Sequence, residues 1–242
     1  MIPDKNLFLV TSSIKPAIGV FNHQERFEQT ILGLKSIREK VPEALIILCD
    51  VSLAPLTDEE NSTLQQNCNM LFNLSQEPLV RELSEKGMKG QAENVLIYNV
   101  LAAMKGDPNL MKILSDVKRI FKISARSLLE DGFDISKYDN LFGKYVFKKR
   151  IPTWMTINTE TNKYGTNFMD LGATDLLITR FFSLCPSLID NYLQVIQKNL
   201  SLLQFIDTEH AHYVNIPKQH LVEFDKVYCR GWLAGNGTVE SY

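Results

Sequence analysis

The sequence contains no apolar run approaching the ~20 residues a bilayer-spanning helix needs. Its opening Met-Ile-Pro-Asp-Lys sets an acid and a base ahead of a short apolar run, unlike a secretory leader. Cysteine is sparse: Cys49, Cys68, Cys185 and Cys229 stand far apart and form no Cys-x-x-Cys pair, which argues against a disulfide scaffold or a zinc finger. Neither charge sign prevails, with 26 basic against 28 acidic residues and a formal net charge of −2. Phosphate-backbone binding usually shows a basic excess or stripe, so nucleic acid is not an expected partner. The strongest basic run, Lys148-Lys149-Arg150, sits beside Pro152 and reads as a solvated strand end or turn. There is no Walker loop and no Gly-x-Ser-x-Gly elbow. Gly235-Asn236-Gly237 has no helix after it, so it does not read as a dinucleotide phosphate loop. These absences lead to the expectation of free thiols, no transmembrane segment and a cytoplasmic location.

The composition is ordinary for a globular chain, 45% hydrophobic and 22% charged over 242 residues. No repeat or low-complexity linker divides it, and a single domain over 1–242 is expected. Leu7 to Val10 and Ala44 to Leu48 are unbroken apolar runs, each followed by a polar cluster. Met70 to Leu74 and Arg119 to Ile123 read as further strands. Between the first two lies a helix that Asn22 and Glu25 start as a capping box, with Phe27, Ile31, Leu34, Ile37 and Val41 at helical spacing and Pro42 at its end. Thr57 and Glu60 begin a second, shorter helix in the same way. A helix is expected from about Gln91 to Lys105, and another short one after Gly106-Asp107-Pro108. Continuous apolar strands separated by helices imply burial on both sheet faces, and so a mostly parallel central sheet flanked by helices in an α/β fold. From Tyr138 to Thr166 the helical period fails, and a small antiparallel extension is expected there. Leu176 to Leu184 and Leu188 to Ile206 read as helices on either side of Pro186, and the tail after His210 as strand and loop.

Open α/β sheets bind ligands outside the carboxyl ends of their strands. Those ends carry Thr11-Ser12-Ser13, Asp50-Val51-Ser52 and Ser124-Ala125-Arg126. Hydroxyls and backbone amides suit phosphate or ribose oxygens, Asp50 suits a ribose or a base N–H, and Arg126 offers a forked permanent cation.

Taken in order, Thr11-Ser12-Ser13, the helix around Arg26, Cys49-Asp50-Val51-Ser52, Lys89-Gly90-Gln91-Ala92-Glu93, Lys122-Ile123-Ser124-Ala125-Arg126 and Glu209-His210 resemble the layout of the GT-A, nucleotide-diphospho-sugar transferase type of glycosyltransferase, a Rossmann-like fold. The resemblance implies transfer of a sugar from a nucleoside-diphosphate donor to a glycan or other hydroxyl acceptor. It also implies that Thr11, Ser12, Ser13, Arg26, Asp50 and Ser52 line a nucleotide pocket. Lys89, Gly90 and Glu93 would approach the donor sugar or pyrophosphate from a helix start, where backbone N–H groups favour anions. Ser124 and Arg126 would lie where the family carries Asp-x-Asp, which holds Mn²⁺ or Mg²⁺ against the pyrophosphate, and Lys122 would also bind the nucleotide sugar.

No Asp-x-Asp occurs in this sequence. Three readings follow: Arg126, with Lys122, takes the metal's place; Asp131 and Asp134 supply the metal from downstream; or the chain keeps the fold as a nucleotide- or carbohydrate-binding or structural protein without turnover. A methyltransferase ranks below these, because Thr11-Ser12-Ser13-Ile14-Lys15-Pro16 has none of the glycines that class carries after its first strand. The base that takes the acceptor's proton must be a carboxylate or histidine, and Asp170, Glu209 and His210 are the candidates. Asp170 precedes the turn Leu171-Gly172, where an acid also serves as a cap. His210 and His212 form a His-x-His pair that would face one side of a strand, though no third metal ligand is evident. Trp154 and Trp232 are candidates for stacking on an acceptor sugar, or for the core.

Overall fold

The computed structural model describes residues 4–16, 19–158, 160, 162–233 and 236–242. In chain order the elements are β1 (Lys5–Ser12), α1 (His23–Lys40), β2 (Leu45–Asp50), α2 (Asp58–Asn67), β3 (Met70–Asn73), α3 (Pro78–Glu85), α4 (Lys89–Gly106), α5 (Pro108–Ser115), β4 (Val117–Ser124) and β5 (Ser127–Leu129). There follow β6 (Tyr145–Lys148), β7 (Ile151–Pro152), β8 (Asp175–Leu176), β9 (Phe181–Leu184), α6 (Ile189–Leu202), α7 (Thr208–Asn215), β10 (Leu221–Phe224), β11 (Cys229–Trp232) and β12 (Val239–Ser241).

The main sheet runs β10-β6-β9-β4-β1-β2-β3. The pairs β1–β2, β1–β4, β2–β3 and β6–β10 are parallel, and β9 runs antiparallel to both of its neighbours. Alternation along β1 explains the burial. Leu7 and Leu9 enter one core with α4 and α6, while Phe8 and Val10 enter another with α1. Phe8 stacks on Phe121 at 4.8 Å between ring centroids, and across the sheet Phe147 stacks on Phe182 at 4.7 Å. Each such side chain contributes roughly 1.5–3 kcal/mol on leaving water. Both expected capping boxes form. Asn22 Oδ1 accepts from Glu25 N at 3.0 Å and Glu25 Oε2 from Asn22 N at 2.7 Å, with the same reciprocal pair at Thr57 and Glu60.

Three expectations are corrected. Residues 176–184 are not helical but supply β8 and β9. Every residue of β9 is buried, with Phe181 in one core and Phe182 in the other. A short apolar run sandwiched by both cores carries no period that separates strand from helix. The tail after His210 continues α7 to Asn215 before the strands begin, started by Asp207, whose side chain accepts from His210 N. The antiparallel extension comes chiefly from β12-β11-β5, and within 138–166 β6 joins the main sheet while β7 pairs only with β8. Gly235, in the Gly-Asn-Gly run, lies outside the described residues.

Candidate active site

The parallel strands β1, β2 and β4 end on one edge of the sheet, and a cavity of about 250 Å³ opens there. Thr11, Ser12, Ser13, Ser124 and Arg126 reach it from the strand ends, Arg26 from α1, Lys89, Gly90 and Glu93 from the start of α4, and Glu209 from the first turn of α7. The structure also brings in Thr30, Thr179, Arg180 and Thr208, which the sequence reading did not single out. Arg180 arrives because β9 is antiparallel: the residues before it lie beside the carboxyl end of β4, where Ser124 N donates to Arg180 O at 2.9 Å. Read as a helix, the segment gave no such cue.

At the cavity wall the buried Lys122 pairs with Glu93, which is half-buried and faces the cavity. Lys122 Nζ lies 2.7 Å from Glu93 Oε1 and also donates to Thr179 O at 2.9 Å and Ser124 Oγ at 3.2 Å. Thr11 Oγ1 donates to the same Glu93 oxygen at 2.7 Å. Burial alone would raise the Glu93 carboxyl, but Lys122 and the Thr11 hydroxyl hold it below the usual carboxylate range. Lys122 itself is 1% exposed and does not line the cavity; it fixes Glu93 and the β4 end.

Asp50 and Ser52 have a positioning part. Asp50 Oδ1 accepts from Ile14 N at 3.1 Å and Oδ2 from Ser52 N at 2.9 Å, while Ser52 Oγ accepts from Lys15 N at 2.9 Å. Both are fully buried, and together they bind the loop after β2 to the loop after β1. Neither lines the cavity. Asp170 is exposed in a short 3-10 turn and also lies away from the lining. His210 is 1% exposed, with Nδ1 2.7 Å from Asp207 Oδ1 and Nε2 2.7 Å from Thr153 Oγ1, and its ring meets Phe168 edge-on. Its nitrogens tie α7 to the segment after β7, and it too is outside the lining. On helix α7, His210 and His212 do not share a face. His212 Nδ1 lies 2.8 Å from Thr208 O and its Nε2 3.1 Å from Tyr192 Oη, and burial presses its imidazole down to about 4. It is a neutral core histidine. Trp154 is exposed, and the Trp232 carbonyl accepts from Arg126 Nη1.

Charge in the cavity is one-sided. Arg26, Lys89, Arg126 and Arg180 face Glu93, which is neutralised by Lys122, and Glu209. Burial and the neighbouring Arg26, Arg126 and Lys163 lower Lys89 to about 8. Burial, Arg26 and Arg180 likewise lower Arg126 to about 10. Burial and the nearby Asp207 push the Glu209 carboxyl up to about 7, and its Oε1 accepts from Thr179 Oγ1 at 3.2 Å. An acid poised there exchanges protons near neutrality.

This donor set does not suit the divalent metal that the resemblance implies. The lining carboxylates are Glu93, already bonded to Lys122 and Thr11, and Glu209, which burial drives toward its neutral form. Asp131 is exposed and paired with Lys40, and Asp134 caps a 3-10 turn through Ser136; neither lines the cavity. Among the described residues no three His, Cys, Asp or Glu side chains group as a metal site.

Solved structures resemble the chain over most of its length. The mannosyltransferase Ktr4p from S. cerevisiae aligns over 91% of this chain and 68% of its own, with 13% identity and a TM-score of 0.50. The galactosyltransferase LgtC, in complex with donor and acceptor sugar analogues, aligns over 91% of this chain and 73% of its own at 9% identity, again with a TM-score of 0.50. An active-site mutant of LgtC gives 0.51 at 8% identity, over 91% of this chain and 72% of its own. The chain has the GT-A fold. No family model matches the sequence, and no curated protein does. In this GT-A fold the cavity occupies the strand-end edge expected of a ligand site in an open α/β sheet. No helix among the described residues is long and apolar enough to cross a membrane.

Proposed function

We propose that this protein is a glycosyltransferase that moves a sugar from a nucleoside-diphosphate donor to a hydroxyl acceptor in glycan or polysaccharide synthesis. The observation that carries this reading is the gathering, in one strand-end cavity, of four cations with the Glu209 carboxyl, which burial and Asp207 push up. The cations suit a diphosphate, and the carboxyl suits the acceptor's proton. The fold shared with two sugar transferases supports the same chemistry.

In the proposed reaction the acceptor hydroxyl oxygen attacks the anomeric carbon of the donor. Its proton passes to Glu209. The bond from the anomeric carbon to the diphosphate oxygen breaks, and the diphosphate leaves with the electron pair. Arg26, Lys89, Arg126 and Arg180 stabilise the charge that grows on it, in place before the reaction begins. Lys122 and Glu93 act as positioning residues, holding Thr11 and the β4 end still. A neighbouring cleft shares Pro16 with the cavity and is lined by Phe21, His23 and Leu53, which suits the donor's base. Asp50 and Ser52 shape the loops between the two clefts.

The test is a panel of UDP-, GDP-, CDP- and ADP-sugars with a mixture of simple glycoside acceptors, read as release of nucleoside diphosphate and by calorimetry. Release from donors of one base, faster with acceptor present, is the expected result. Binding without release would favour a sugar-nucleotide-binding protein over a transferase. No binding of any donor would overturn the reading altogether.

A further inference from the structure

The cavity is built for an anion before any ligand enters it. Arg26 is only 5% exposed and its Nε has no hydrogen-bond partner among the described residues; the Ser12 hydroxyl, 7% exposed, is in the same condition. Both line the cavity. Leaving buried polar groups unsatisfied is costly, which points to a ligand that satisfies them. The cations there repel one another: Arg26 and Arg180 act on Arg126, and Arg26 and Arg126 act on Lys89. Helix α4, eighteen residues long, starts at the same wall with Met88 as its N-cap, which offers no side-chain hydrogen bond to the first amides. Its positive end adds to the field at Lys89 and Gly90.

An acidic ligand relieves all of these costs at once, whereas a divalent cation would add to the repulsion. We propose that Arg26, Lys89, Arg126 and Arg180 take the place of a divalent metal, so that the site binds the diphosphate of its donor without Mn²⁺ or Mg²⁺. This rests on the reading of the ligand as a nucleoside diphosphate. The resemblance places the family's Asp-x-Asp at Ser124-Ala125-Arg126, and these residues line the cavity with a guanidinium where the motif has carboxylates. Arg126 is steadied by its Nη1 bond to Trp232 O and by Trp232 N donating to Arg126 O at 3.1 Å. Arg180 is steadied by donating to Tyr242 Oη at 2.8 Å. These side-chain hydrogen bonds of Arg126 and Arg180 thus go to a backbone carbonyl and a hydroxyl rather than to a carboxylate.

The proton balance separates the two possibilities. Diphosphate bound to cations alone raises Lys89 from about 8, so the complex takes up protons from solution at pH 8. A bridging metal neutralises the diphosphate before Lys89 can, and at pH 8 the phosphate and carboxylates are already ionised, so metal-bridged binding takes up fewer protons. The experiment is calorimetric titration of the full chain with UDP, GDP, CDP and ADP at pH 8, in EDTA and in Mn²⁺, each in two buffers of different ionisation enthalpy. The expected result is one nucleotide with a Kd unchanged within about threefold by EDTA, with net proton uptake. Arg26→Ala should weaken that nucleoside diphosphate by about 10- to 100-fold, the range of a charge-assisted hydrogen bond, while leaving the nucleoside's affinity alone. Binding that needs Mn²⁺, or that tightens more than about threefold with it, overturns the metal-free site but leaves the transferase reading standing. Failure of all four nucleotides to bind in either medium overturns both.

Discussion

Among the described residues, two of the clefts rich in charge differ in how those charges are balanced. The larger, about 840 Å³, lies between α1, the β5 turn and β12, and is lined by Lys40, Glu130, Asp131, Asp225, Lys226 and Arg230 among others. Its charges are of both signs and range from half-buried to exposed, as in the pair of Lys40 with Asp131 at 2.7 Å, whose carboxylate is fully open to water. Water and salt screen pairs of this kind, so they add little to stability. The smaller, at the strand ends, is about 250 Å³ and gathers cations that burial and like charge disfavour. Volume alone would choose the first. The electrostatic cost chooses the second, because a fold keeps such a cost where it serves a ligand.

The comparison is broken most directly at Glu209. Glu209→Gln should lower turnover by about 10²- to 10⁴-fold, the range for losing a general base, while donor affinity changes little; steady-state kinetics beside calorimetry separates the two. In the wild type, kcat/KM should rise as pH passes about 7, where Glu209 becomes the base, and fall above about 8, where Lys89 loses its charge. The rising limb should vanish in the Gln variant. Stability should move the other way. The Glu209 carboxyl is held above its unfolded value, so its favourable contribution is complete below about 4.5 and lost as pH rises through about 7. The Gln variant is therefore expected to melt at or above the wild-type temperature at pH 8, and a lower melting temperature there would argue against a strained acid.

A smaller effect is expected at Gly33, which sharpens how the cavity wall is set. A Cβ there would lie 2.5 Å from Ala125 O and 3.0 Å from Ser127 O, so only glycine lets α1 approach the loop that carries Arg126. Gly33→Ala should push that loop outward, costing on the order of 1–3 kcal/mol of stability as overpacking does and weakening donor binding; thermal melts and titration check it. The smallest effect belongs to the other cleft. Asp131→Asn should leave turnover, donor affinity and the melting temperature essentially unchanged, because the carboxylate is fully open to water. A clear loss of activity in that variant would return the larger cleft to consideration.

Legibility in the sequence followed the range of the forces involved. Strands β1, β2 and β4, helix α1 and both capping boxes could be read directly, because apolar runs and cap residues act within a few residues of themselves. For the same reason the polar groups after those strands could be named as a set. Strand β9 could not, since Phe181 and Phe182 serve opposite cores and the segment shows no period of its own. Nor could the division between lining and supporting residues: Asp50 and Lys122 point to chemistry by residue type, yet spend their bonds on loop amides, on Glu93 and on Thr179.

The sequence by itself determined a mostly parallel α/β sheet with polar strand ends, and the lack of an Asp-x-Asp motif. Local propensity, capping and two-sided burial are written in neighbouring residues. Only the tertiary structure decided that Arg180 and Glu209, from a reversed strand and a late helix, meet Arg26 and Lys89 at one edge. It also decided that His210 is spent on Asp207 and Thr153. Those outcomes depend on strand direction and on which partners burial leaves within reach, and both are set by contacts between residues far apart in the chain.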